Sequence, residues 1–259
     1  MGLIDSHAHL TFPELRGQVD EVLARSAAAG VERVITIGCT LEDTEAAIAL
    51  ADRHPRRVFA AGGFHPHEAD NVTDAQIDRM AEFWRRHGVV GVGEIGLDYY
   101  RRFADRDRQR VVFARQLALA LPLAYPVIIH CREAFEDCIP ILLDNGYEGR
   151  PVVFHCFSGT RREAELVAGH RWRLSFTGVV TFAKSGPLQE IARDYPAEAL
   201  MIETDCPYLS PVPVRGRRPN EPAYLAHTAR FLAELRGVEY EEFVQQSARN
   251  TERFFALGD

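Results

Sequence analysis

Near its amino terminus the chain reads Leu3-Ile4-Asp5-Ser6-His7-Ala8-His9-Leu10, and the residues after the first apolar pair separate two α/β architectures. A strand feeding a doubly wound open sheet turns through a glycine-rich loop that approaches phosphate closely. Here the predicted strand Leu3-Asp5 runs into Ser6-His7-Ala8-His9, which contains no glycine. The two imidazoles lie two residues apart, so extended backbone sets both on one face, where both can reach one ion. An isolated His-x-His pair also describes two solvated loop histidines. The weight of the reading therefore comes from the rest of the chain.

Outward from this stretch, short β-branched runs alternate with amphipathic stretches, the pattern of βα units around a parallel sheet. The predicted strands are Leu3-Asp5, Arg33-Ile37, Val58-Ala61, Val89-Val92, Val127-His130, Val152-His155, Arg173-Phe176 and Leu200-Glu203. Between them, Val19, Val22, Leu23, Ser26 and Ala27 mark one helix face, Phe113, Leu117, Ala120 and Leu121 another, and Thr228, Phe231, Leu232 and Leu235 a third. A further helix is predicted at Tyr240-Phe255, after the eighth unit. No linker or low-complexity tract interrupts the pattern. The expectation is an α/β protein, a (β/α)8 TIM barrel forming one domain over 1-259 with an additional C-terminal helix. The 259 residues and 46% hydrophobic content suit it, since such barrels take about 250 residues.

No run approaches the roughly 18 apolar residues of a membrane span, and the start lacks a basic-then-apolar leader pattern. A soluble, cytoplasmic protein is expected, with no membrane partner and a monomer as the default. The five cysteines, Cys39, Cys131, Cys138, Cys156 and Cys206, form no C-x-x-C pair and read as reduced thiols. A formal net charge of -7 argues against a broad basic surface for duplex nucleic acid and leaves room for a local basic rim.

The residues that carry chemistry recur at strand ends. Besides His7 and His9, Glu94 follows the fourth strand, His130 ends the fifth, His155 ends the sixth and Asp205 follows the eighth. The carboxyl ends of barrel strands are where active sites are built. Four imidazoles and two carboxylates suit Zn, Mn, Fe, Co or, less comfortably, Mg. Cys131, Cys156 and Cys206 each directly follow a proposed ligand, and continued strand alternation would point them the other way, into the core.

The chain as a whole resembles the TatD-type metal-dependent deoxyribonuclease family. The matching segments are Leu3-Leu10, Gly63-His67, Gly91-Tyr99, Pro126-Ala134, His155-Gly159 and Glu203-Leu209. The resemblance implies a TIM barrel related to the amidohydrolases, a binuclear metal site and hydrolysis of DNA phosphodiesters. It implies that His7, His9 and Asp205 hold one ion and His130 and His155 the other, with Glu94 bridging. Related barrels use a carbamylated lysine as bridge, but Lys184, the sole lysine, lies after the seventh strand. Two departures stand out: Pro122, which should end the preceding helix early, and an extra proline in Gly216-Arg217-Arg218-Pro219-Asn220-Glu221-Pro222.

Asp205 is the expected general base for the attacking water, or a ligand alone. His65 is the expected phosphate or leaving-group contact, with His67 packing the loop. Arg132 either forks onto a phosphate or pairs with Glu133 or Glu136. Arginines in the loops, among them Arg101, Arg217 and Arg218, would guide an anionic strand, and Phe64, Tyr99, Tyr100, Phe157 and Tyr208 are placed to stack a base or to join the core. Single-stranded DNA cut from an end is the expected substrate. The alternative is an ester or amide such as a D-aminoacyl-tRNA, whose carbonyl the same metals would polarise.

Overall fold

Valine, isoleucine and leucine fill the runs that become strands. In the computed structural model these runs form β1 (Leu3–Ala8), β2 (Val31–Gly38), β3 (Val58–Gly62), β4 (Gly91–Asp98), β5 (Val127–Arg132), β6 (Val152–Phe154), β7 (Arg173–Phe176) and β8 (Leu200–Ile202). The structure describes every residue except Met1, His87 and Asp259; His87, given no function from the sequence, lies outside the described residues. The strands pair in sequence order, all parallel. A parallel bridge from Ala8 to Cys206, with hydrogen bonds from His9 N–H to the Cys206 carbonyl (2.9 Å) and from Asp205 N–H to that of His7 (3.0 Å), brings β1 against the end of β8. The result is a nearly closed TIM barrel.

The helices are α1 (Val19–Ala28), α2 (Leu41–Arg53), α3 (Asp74–Arg86), α4 (Arg106–Ala120), α5 (Phe135–Asp144), α6 (Arg161–Gly169), α7 (Gly186–Asp194), α8 (Leu225–Arg236) and α9 (Tyr240–Phe255). Local signals set their limits. The Asp105 carboxylate accepts from the Asp107 and Arg108 amides at the start of α4, and Thr160 with Glu163 forms a capping box on α6. Pro122, which lacks the N–H that would continue the helix, sits in a short 3-10 turn after α4, and Ala124 leaves that turn in a left-handed conformation. The expected helix faces are largely buried, although Ala27 is exposed.

Inside the barrel, Ile35, Ile37, Ala61, Ile128, Val153 and Met201 pack with Phe254 and Phe255 of α9. The added helix thus caps the amino end of the strands. The chemistry is left to the carboxyl end.

Helix α4 positions two loops there through buried amides. Gln116 accepts from Phe64 N–H (2.8 Å) and donates to the Phe64 carbonyl (3.1 Å), fixing the loop that carries His65. Gln109 accepts from Asp98 N–H (2.8 Å) and donates to the Asp98 carbonyl (3.1 Å). Strand β4 continues to Asp98, well beyond the predicted end at Val92, because two glycines let it lie close on β5. Gly93 and Gly96 both have φ near +142°; a Cβ on Gly96 would stand 2.0 Å from the His130 carbonyl oxygen. Only glycine permits this approach. It places Glu94 inside the strand, beside His130.

Candidate metal centre

Glu94 is 3% exposed, and its two carboxylate oxygens face different groups of imidazoles. Oε1 lies 2.6 Å from His130 Nδ1, 2.6 Å from His155 Nε2 and 3.4 Å from His65 Nε2. Oε2 lies 3.3 Å from His7 Nε2 and 3.7 Å from His9 Nε2. His7 and His9 face one another at 3.3 Å, and Asp205 Oδ1 completes that side at 3.4 Å from His9 and 3.8 Å from His7. All six residues named from the sequence therefore meet in one place, and all but the fully buried His7 line a cleft of about 810 Å³.

Imidazole lone pairs and carboxylate oxygens crowded this closely fit a divalent cation. Neighbouring donors around a four-coordinate ion at about 2.0–2.1 Å stand roughly 3.3 Å apart, and the spacings on the Oε2 side are 3.3–3.8 Å. Three triads have the spacing to hold an ion: His7, His9 and Glu94; His65, Glu94 and His130; His7, His155 and Glu203. In the last, the Glu203 carboxylate already accepts from Cys156 N–H (2.6 Å) and Ser175 Oγ (2.5 Å). It faces His155 Nδ1 at 3.3 Å, which is how a carboxylate orients a ligating imidazole.

The electrostatics agree with this arrangement. Burial alone would raise Glu94, but His155, His65 and His130 outweigh it and hold the carboxyl well below its ordinary range. Burial likewise opposes ionisation of Asp205, and the hydrogen bond to His9 with the nearby imidazoles keeps it lowered. Burial pushes His65 down to about 4 and lowers His7, so both offer lone pairs at neutral pH. His130 and His155 are raised, because their carboxylate partners prevail over burial.

Several positions differ from expectation. His65, expected at substrate, borders Glu94 closely enough to join a metal-holding triad. His67 does more than pack its loop: its Nε2 is 2.9 Å from Asp98 Oδ2, which also stands 3.1 Å from His130 Nε2. Cys206 is buried as expected, but Cys131 and Cys156 are partly exposed and line the cleft. Alternation fails at Cys156 because its φ is +46°, a left-handed turn that ends the strand pattern. Arg132 is exposed, with Cζ 3.9 Å from the Tyr100 ring centroid. Of the loop arginines, Arg101 lines the cleft, as does Arg132 at the end of β5, whereas Arg215 packs over Phe182 at 4.0 Å.

Asp98 and Glu203 do not stand out in the sequence. The signal for Asp98 is the period of two, which sets it four residues beyond Glu94 on the same strand face. A fourth strand ending at Val92 hides it.

A parallel eight-stranded barrel with a histidine-carboxylate cluster at its carboxyl end defines the class, a metal-dependent hydrolase. Comparison with known proteins agrees: the model of the TatD related DNase family matches residues 4–256. The chain belongs to this family. It is 36% identical over 255 residues to the metal-dependent hydrolase YabD of Bacillus subtilis, covering 98% of this chain and 99% of that one. It is also 36% identical over 262 residues to the 3'-5' ssDNA/RNA exonuclease TatD of Erwinia tasmaniensis, covering 98% and 100%. Among solved structures, the TatD homologue YJJV of Escherichia coli superposes with a TM-score of 0.92 at 29% identity, covering 98% of both chains.

Proposed function

We propose that this enzyme hydrolyses phosphodiester bonds of single-stranded DNA, and of RNA, one nucleotide at a time from the 3' end. The observation that carries the reading is the split of the Glu94 carboxylate, one oxygen toward His7 and His9 and the other toward His130 and His155. In this reading His7, His9 and Asp205 would hold one divalent ion and His130 and His155 a second, with Glu94 shared between the two groups. Such a pair supplies positive charge against the phosphoryl oxygens and makes water more acidic. Both carboxylates are ionised at neutral pH. Asp205 lines the cleft and is the more exposed of the two, at 15% against 3%, which supports it as the group that takes the proton from the attacking water. His65 and Arg132 face the same cleft and contact the phosphate and leaving group.

The polarity and the inclusion of RNA follow the name of the Erwinia relative. Single strands are favoured by the shape of the site, a pit ringed by loops that a flexible end enters more readily than a stiff duplex. Exposed Tyr100, Phe103 and Tyr208 offer faces for base stacking. The test supplies one metal-loaded preparation with single-stranded DNA, a D-aminoacyl ester and a simple phosphodiester. Release of mononucleotides from DNA is expected; turnover of the aminoacyl ester with DNA left intact would replace this reading by the esterase one.

A further inference from the structure

Beside the metal cleft lies a second cavity of about 430 Å³, between the loops that follow β5 and β6. Cys131, Arg132, His155 and Ser158 line both spaces, so the two meet along one edge. That edge carries a cation, Arg132. We infer that this side cavity is the subsite for the terminal nucleoside of the strand, with the scissile phosphate lying at the shared edge between Arg132 and the metal centre. The inference rests on the nuclease reading and specifies where the departing end sits.

The size fits one small ligand, near the lower end of the range for such pockets, about 300–1,000 Å³. The inner wall is made by Phe154 and Phe157, both buried, so the space ends inside the protein. A strand end that enters meets this wall. The lining also has the chemistry of a nucleoside rather than of a second phosphate. Aromatic side chains line the cavity, and stacking on an aromatic ring accepts any base. Away from the edge the cavity's charged members are two carboxylates, Glu163, which already accepts from Thr160, and the exposed Glu133; both repel phosphate, and Glu133 can accept from a sugar hydroxyl or an exocyclic amine. Tyr100, with Arg132 stacked at 3.9 Å, stands at the entrance, half-exposed at 51%. Glu133 has φ +52° and Cys156 +46°, conformations uncommon for residues with a side chain. These two turns swing the loops apart directly after Arg132 and His155, and open the space between them.

Two exposed positions allow a test that spares the core. Tyr100→Ala removes the stacking face, and Ser158→Phe fills the entrance. Each is measured with wild type on a linear oligodeoxynucleotide and on methyl p-nitrophenyl phosphate, a diester without a nucleoside. Both variants should lose about tenfold more kcat/KM on the oligonucleotide than on the small diester, the scale of one base-aromatic stack. In parallel, an oligonucleotide carrying 2-aminopurine at its 3' end should be quenched on binding to wild type and less so by either variant. Equal losses on both substrates, or quenching unchanged by both variants, overturns the subsite while leaving the nuclease reading intact. A wild-type enzyme that leaves the oligonucleotide uncut overturns that reading, and the subsite with it.

Discussion

Among single residues, Glu94 holds the most consequential position, since one buried carboxylate faces five imidazoles. Glu94→Ala is expected to remove activity and lower the metal content of the purified protein, whereas Cys131→Ala or Cys206→Ala leaves metal content unchanged. Elemental analysis of the three variants decides it, and metal loss in a cysteine variant would reopen the ligand assignment. Asp5 supports the centre from behind, accepting from Thr204 N–H (2.9 Å) and Thr204 Oγ1 (2.5 Å). Burial pushes its carboxyl up to about 7 from 3.8, against those hydrogen bonds. A raised folded-state pKa means that the folded protein holds a proton which the unfolded chain releases. Stability from this group is intact below 3.8 and is lost as pH rises toward 7. In chelator-treated protein, the stability of wild type relative to Asp5→Asn should fall across that window by up to about 4 kcal/mol, read by urea denaturation at several pH values. A difference independent of pH would show that Asp5 stays ionised. The six candidate ligands are legible in the sequence because each falls at or just after the end of a predicted strand and is a histidine or carboxylate at such a position; Glu203 and Asp98 are not, since their part depends on which residues face each other across strands.

At the level of elements, the sequence specifies eight strands and the final helix, and it places β7 and α9 at their observed limits. It misjudges β4. Glycines lower strand propensity, so the predicted strand stops at Val92 ahead of Gly93-Glu94-Ile95-Gly96; in the barrel these glycines permit β4 to press against β5. Gly96→Ala should therefore be costly, because the added carbon meets the His130 carbonyl oxygen at 2.0 Å and the backbone φ is +142°. A loss of at least about 2–3 kcal/mol is expected, together with reduced activity at temperatures where the variant remains folded, since His130 must shift. Thr160→Ala on α6 removes only a cap and should cost about 1 kcal/mol. Thermal denaturation of the pair ranks them. Comparable losses would mean that β5 yields easily.

The whole molecule carries a net charge of -7, so capture of an anionic strand depends on local fields rather than on the average surface. Sequence alone puts weight on Arg217 and Arg218, but the arginines lining the cleft are Arg101 and Arg132, because position in the loop after a strand does not say which way a side chain leans. A cleft served by two arginines and a metal centre engages few phosphates, roughly two to four. The slope of log K against log salt for a single strand should then be shallow, about -1.4 to -2.8. Arg101→Ala and Arg132→Ala should each flatten it by about 0.7. In Arg101→Ala, KM for DNA should rise more than kcat falls, since a charge at the rim mainly assists encounter. Binding measured by fluorescence anisotropy from low to moderate salt provides the slopes. Efficient nicking of closed circular duplex DNA, or a steep slope untouched by either substitution, would mean that the strand runs over a broader surface than the cleft and that entry by an end is not how this enzyme meets its substrate.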